Sequence, residues 1–285
     1  MIGLIGIVGV SAAGCATSAT SAAQVGDVDI SEAAIFDRTT ALVDQAQTSG
    51  AAPLEPSTVA VFNRSQTTSA IRSRLLQVAA ADKGVVVTND QVNTAMAGGN
   101  GATAAKQLGA PASMVEQTVR DLLLLEGLVS KQPANGAPIQ DVTVRIDGVS
   151  VPTREQAVTT RSQFLADPSA VDGVIAASAS PVKPQTVSLL KNPTVGSTGV
   201  FDAQKGEVIV YPSQDGFYVI RVLDRAVTPA VLTAADLTPQ ELTGKFDLGA
   251  LLLAPYADQA GVTVNPRLGV WDPLALQVVP GGSGL

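Results

Sequence analysis

Gly206-Glu-Val-Ile-Val-Tyr211-Pro-Ser-Gln-Asp-Gly216-Phe-Tyr-Val-Ile-Arg-Val222 is the stretch that decides the architecture of the second half of the chain. Two runs of β-branched and aromatic residues flank a turn containing proline and glycine, which is the pattern of a β-hairpin. Alternation along the second run sends Phe217 and Val219 to one face and Tyr218 and Ile220 to the other. Upstream, Asp141 to Ile146 alternates like a half-buried strand, and Asp147-Gly148 offers a tight turn before Val149. Thr153-Arg-Glu-Gln156 is a capping box that opens a helix running to about Ala166. Asp172 to Leu190 reads as a short helix plus loop. Beyond the hairpin, Thr238 to Gln259 is helical from Pro239, and Val262 to Pro273 is extended.

The linker Pro133-Ala-Asn-Gly-Ala-Pro138 marks the best domain boundary, and everything before it is helical in character. Ser31 sits as an N-cap ahead of a stripe formed by Ile35, Thr39, Leu42, Val43 and Ala46. Gly50 to Pro56 ends that helix. A second helix covers Thr58 to Lys83, with Ile71, Leu75, Val78 and Ala79 on one face and Arg64, Arg72 and Arg74 on the wet side. Gly84 supplies its stop. Thr88-Asn-Asp-Gln91 is a capping box for a helix from Asn89 to Ala97, and the loop Gly98 to Gly101 follows. Ser113-Met-Val-Glu116 is a further box, opening a helix that turns Val115, Val119, Leu122 and Leu125 inward.

At the N-terminus, Met1-Ile-Gly-Leu-Ile-Gly-Ile-Val-Gly-Val-Ser-Ala-Ala-Gly14-Cys15 is apolar, small-residue-rich and closed by the only cysteine of the chain. It reads as a lipoprotein signal peptide (residues 1–15) with the lipobox Ala12-Ala13-Gly14-Cys15, lipidated on Cys15. No Lys or Arg precedes the run, so the true translation start is expected upstream. Residues 16–24 read as a flexible tether. The apolar run is shorter than the roughly 20 residues a spanning helix needs. The expected location is therefore the outer face of a bacterial cytoplasmic membrane, with membrane contact through the N-terminal lipid only.

Composition narrows the chemistry. The 285 residues are 46% hydrophobic, which excludes wholesale disorder, and the net charge of -7 argues against nucleic acid as a partner. A single cysteine permits no intramolecular disulfide and no thiolate metal site. Histidine is absent altogether, so catalytic triads, Cys-His dyads and histidine metal sites are all excluded. No cofactor or metal is implied and no catalytic residue is assigned.

Several segments resemble the SurA/PrsA group of extracytoplasmic folding factors. Ala23 to Glu32 is similar to the short strand that leads into the group's first helix, with Val25-Gly-Asp at the turn. Ala79-Ala-Ala-Asp-Lys-Gly-Val-Val-Val-Thr-Asn-Asp-Gln-Val92 resembles its helix, Gly-Val-x-Val-Thr-Asp, helix step. Gln117 to Leu125 resembles a later helix of the chaperone domain, and Val264 to Asp272 the endings of actinobacterial lipoproteins of this type. The resemblance implies an α+β fold. Residues 25–133 would form a SurA N-terminal-like helical domain and 139–227 a small parvulin-like α/β domain. A return helix and tail, 228–285, would pack back on the helices. In the parvulin-like part, Thr198 to Phe201, Lys205 to Val210 and Gly216 to Arg225 look like the last third of a prolyl isomerase.

Active parvulins carry histidines in the first and last strands; here Val144 and Arg145 lie near the first position and Phe217 to Ile220 at the second. The resemblance thus implies a relic without efficient peptidyl-prolyl isomerase activity. Only an apolar pocket favouring the twisted amide would remain, with Phe201, Phe217 and Tyr218 as its walls. The leading expectation is a membrane-anchored holdase that binds unfolded or exported polypeptides, with Ile35, Phe36, Val119, Leu122 and Leu123 as candidate lining. The alternative is a non-catalytic adaptor or scaffold subunit of a cell-envelope complex. A paired-carboxylate hydrolase, using Asp167 with Asp172 or Asp202 with Glu207, ranks below both.

Overall fold

A short β-hairpin begins the computed structural model, which describes residues 20–48, 50, 53–213, 215–237 and 241–281. Strands β1 (Ser21–Val25) and β2 (Val28–Ser31) pair antiparallel with Val25 opposite Val28. That register leaves Gly26-Asp27 as a two-residue loop, and Gly26 takes the positive φ of 63° that such a loop needs. Residues 16–19 and the Cys15 lipobox lie outside the described residues. Ser21 to Gln24, read from sequence as tether, instead form β1: Ala22 and Ala23 are fully buried, because side chains this small let the strand press onto the helices behind it.

Helix α1 (Glu32–Thr48) starts with the Ser31 hydroxyl accepting from the Ala34 amide at 3.0 Å. Helix α2 (Pro56–Lys83) is the longest element, stopped by Gly84 at φ 62° with its amide returned to the last turn. Ile71, Leu75 and Ala79 face the core, as their spacing predicts. Helix α3 (Asn89–Ala97) begins with the complete Thr88–Gln91 capping box. Helix α4 (Asn100–Gln107) follows at once, although Gly98 to Gly101 reads as loop; the glycines that hide its start sit at its cap, where φ 74° at Gly99 requires one. Helix α5 (Val115–Ser130) opens without a side-chain cap, because Ser113 lies inside a 3-10 turn, Ala112–Met114, rather than at the cap position.

The second half is built on one antiparallel sheet of order β4-β3-β6-β5. Its strands are β3 (Ala137–Val151), β4 (Pro181–Ser188), β5 (Val208–Ser213) and β6 (Gly216–Leu232). The hairpin β5–β6 has Val210 opposite Val219 and Tyr211 opposite Tyr218. Asp147-Gly148 makes no turn. Strand β3 continues through it, paired with β6 at both residues and irregular towards β4 between Ile146 and Gly148, and Arg221 claims both Asp147 carboxylate oxygens at 3.0 and 2.6 Å. Gly148 is needed for a different reason: a Cβ there would collide with the Val219 carbonyl. Helices α6 (Arg154–Ala166), capped by the Thr153–Gln156 box, and α7 (Val171–Ala177) cover one sheet face through Phe164, Val171 and Ile175. The segment after α7 is strand β4 where a loop is expected.

The chain then returns to the helices. In place of one helix from Pro239, itself outside the described residues, there are α8 (Ala234–Leu237), α9 (Leu242–Ala250), a 3-10 turn Leu251–Leu253 and α10 (Ala254–Ala260). Pro255 marks the restart at α10, since it suits a first turn and not a helix interior. Strand β7 (Val262–Val264) adds to β1, giving a sheet of order β2-β1-β7. Strands β8 (Val270–Asp272) and β9 (Gln277–Val279) form a last hairpin, and Trp271 packs half-buried against the helical core.

Arg72 of α2 fastens this return segment. Read as wet, it is 3% exposed. Its guanidinium pairs with Asp247 of α9 at 2.6 Å and donates from Nε to the Leu276 carbonyl at 2.9 Å. Beside it, the Thr68 hydroxyl accepts the Val278 amide at 2.8 Å. Leu276 holds φ 52°, a conformation costing a non-glycine residue on the order of 1–3 kcal/mol, and its fully buried side chain keeps it there. Arg72→Met is therefore expected to destabilise the fold by about 3–5 kcal/mol, because Asp247 and the Leu276 carbonyl lose their donor. Urea unfolding followed by circular dichroism measures it; a change under about 1 kcal/mol would show that the pair contributes no more than a surface one.

Candidate functional site: a polar cleft on the helical layer

The residues singled out from sequence do not gather into one place. Ile35 lies in a small core with Ala22, Ala70 and Leu268, and Val119 lies in another between α3, α4 and α5. Both are closed to solvent, as is Phe201, so none of the three contacts a ligand while the fold is intact. Leu122 and Leu123 are half-buried on α5, with Leu123 against the Val119 core. Phe36, at 43% exposure, is the one member of this set that is open to solvent.

The aromatic walls separate in the same way. Phe217 packs with Val149, Val210 and Val219 beneath α6 and α7. Tyr218 lies on the opposite face, stacked on Tyr211 with ring centroids 5.2 Å apart and packed on the core that contains Phe201. The period-2 geometry of β6 sends neighbouring side chains to opposite faces, so these rings line no common pocket. Register also parts the two positions at which the resemblance would place histidines. Val144 is opposite Arg225, whereas Ile220 is opposite Gly148 and Phe217 opposite Val151. At about 3.3 Å per residue, the two positions lie roughly 13–23 Å apart along β3.

The carboxylates proposed as a pair bind other groups. Asp167 accepts from the amides of Ser169 and Ala170, and Asp172 pairs with Arg221 at 2.6 Å. Glu207 accepts the Gln204 amide. Among the described residues, no group of three acidic or thiol side chains is placed to hold a metal ion.

A cavity lies elsewhere. A cleft of about 720 Å³ runs over α2, bounded by β2, α1, the turn before α5, α5 itself, α9 and β9. Its lining mixes apolar groups (Ile30, Val61, Leu108, Met114, Phe246) with Arg38, Arg64, Arg72 and Arg74 and with Asp29, Asp121 and Asp247. Arg72 and Asp247 satisfy each other. Among the described residues, no hydrogen bond or ion pair occupies Arg38 or Arg64, and burial lowers the pKa of both, at Arg38 against the pull of Asp121. Arg74 makes a single long contact to Gln77 at 3.5 Å, and its Nε is buried without a partner.

Asp121 is the cleft's buried acid. It accepts from Gln117 at 2.8 Å and from Ser73 at 3.1 Å. Burial nevertheless pushes its pKa up to about 6, against the opposing effects of these hydrogen bonds and of Arg38 and Arg120. These residues were legible only in part. Asp121, at the start of the apolar run Leu122 to Leu125, was a signal of a buried polar site. Arginines at positions 64, 72 and 74 of a small-residue helix looked like a solvated face, because the elements that cover them come from distant parts of the chain.

No protein-family model matches this chain, and no curated protein is detectably similar to it in sequence. The functional reading therefore rests on the fold and the cleft. No helix among the described residues is long and apolar enough to cross a membrane.

Asp121 gives the fold a pH dependence of known sign. Its folded pKa lies above the ordinary carboxylate value, so between about pH 4 and pH 6 the folded state binds the extra proton and gains stability as pH falls. Ionised Asp121 correspondingly weakens the fold at pH 7 by roughly 3 kcal/mol. Asp121→Asn keeps a polar side chain for Gln117 and Ser73 without the charge. Its urea midpoint is expected above that of the parent at pH 7.5, with the gap about halved at pH 5 and closing near pH 4. Parallel midpoints at both pH values would exclude a raised pKa.

Proposed function

We propose that the protein is a chaperone-like, polypeptide-binding component of the extracytoplasmic envelope, held to the membrane through lipid on Cys15. The observation that carries this reading is the cleft over α2. It has the volume of a ligand site, and it mixes apolar patches with arginines, hydroxyls and carboxamides. Such a lining suits a chain segment bound through many modest contacts better than a reaction. The sequence resemblance to folding factors points the same way.

The sheet domain serves in this reading as a scaffold. Prolyl isomerisation faces a barrier of about 18–20 kcal/mol and needs a pocket complementary to the twisted amide. The separation of Phe217 from Tyr218 and Phe201, and the distance between the two former histidine positions, speak against such a pocket. The rate of cis-trans exchange of a proline tetrapeptide is expected to equal that in buffer when the protein is added at micromolar concentration. A tenfold acceleration would restore an isomerase reading.

The direct test is aggregation of a chemically unfolded client, followed by light scattering, with residues 16–285 present. Protection at near-equimolar ratio is expected, and it should weaken when the cleft is narrowed by Ala34→Trp. Absence of protection from a chain that is folded by circular dichroism would favour an adaptor subunit with one dedicated partner.

A further inference from the structure

We infer that the cleft over α2 selects polypeptide segments bearing carboxylates, which Arg38, Arg64 and Arg74 receive. The inference rests on the polypeptide-binding reading and names the class of segment the site prefers. It starts from a mismatch between the cleft and the rest of the molecule. The chain carries 25 acidic residues against 18 basic ones, yet four arginines line this cavity against three aspartates, and no lysine or glutamate lines it.

The pairing within the cleft sharpens the mismatch. Arg72 and Asp247 neutralise each other at 2.6 Å. The Asp29 carboxylate accepts from Ser21 at 3.3 Å and, among the described residues, takes part in no ion pair. Asp121 is held by Gln117 and Ser73 on one oxygen, and its attraction for Arg38 is smaller than the cost of burying that guanidinium. Arg64 and Arg74 thus face the cavity without an acidic partner among the described residues, and Arg38 feels Asp121 without forming an ion pair with it. A partly buried arginine without a counter-charge is costly. An incoming carboxylate removes that cost, because the planar guanidinium fork matches its two oxygens.

The rest of the lining fits a peptide more closely than a free inorganic anion. Ile30, Val61, Leu108, Met114 and Phe246 are spread through the cavity and offer apolar contacts to side chains between the acidic ones. A small anion would leave these contacts unused and most of the 720 Å³ unfilled.

The test uses the full chain and two fluorescein-labelled decapeptides, in which apolar residues alternate either with Asp and Glu or with Asn and Gln. Binding is followed by anisotropy at pH 7.5. The acidic peptide is expected to bind about tenfold more tightly than its neutral twin, the difference between charge-assisted and neutral hydrogen bonds. Arg64→Gln and Arg38→Gln should each reduce that preference severalfold without changing affinity for the neutral peptide. Arg154→Gln, an exposed arginine on α6, should change neither. Equal binding of both peptides, or an Arg154→Gln effect as large as that of Arg64→Gln, would overturn the carboxylate preference and leave the polypeptide-binding reading in place. Binding of neither peptide by a folded chain would overturn both.

Discussion

One buried guanidinium joins the two ends of this protein. Arg72 lies midway along α2 and reaches Asp247 of α9 and the Leu276 carbonyl in the C-terminal hairpin, with Phe246 against its face at 5.9 Å. Desolvating a guanidinium is expensive, and only a full set of partners repays it. Those partners come from more than 170 residues away in sequence, so the α2 environment is complete only when the C-terminal segment has docked. The strained backbone of Leu276 is part of the same arrangement, since the αL conformation presents that carbonyl while its side chain fills the helical core.

Docking of the C-terminal segment also makes the cleft. Thr243, Phe246 and Asp247 of α9 and Gln277 and Val278 of β9 form one of its walls, α1 and β2 another, and α2 its floor. A surface helix face becomes a half-enclosed cavity in this way, and arginines that would be freely hydrated on an isolated helix are partly desolvated. Lower local dielectric strengthens every charge interaction there. The same burial raises the pKa of Asp121 and lowers that of Arg38, so one physical cause acts on both signs of charge.

Much of the local structure was readable because short-range chemistry sets it. The capping boxes at Thr88 and Thr153 form as their Thr-x-x-Gln spacing requires, Gly84 ends α2, and the run from Gly206 to Val222 makes its hairpin. Errors fall where local and tertiary preferences compete. Asp147-Gly148 looks like a turn, but a strand paired on both edges and an arginine across the sheet override it. Ser21 to Gln24 looks like a tether, but β7 and the helices give its backbone and its alanines partners. The site was less legible than the fold. The apolar residues with the clearest helical spacing, Ile35 and Val119, are core because that spacing is how a helix buries itself. The residues that line the cleft share no period.

The sequence by itself determined the mixed α+β class, the absence of histidine and disulfide chemistry, the positions of the capped helices and the strand-turn-strand of the second half. These depend on residue types and on spacings of a few residues, where backbone geometry leaves few choices. Only the tertiary structure decided that β7 completes the N-terminal sheet, that Phe217 and Tyr218 part company across β6, and that Arg72 is buried while Arg38, Arg64 and Arg74 face a shared cavity. Each of these depends on which distant segment supplies a partner or excludes water, and no local pattern of residues encodes that.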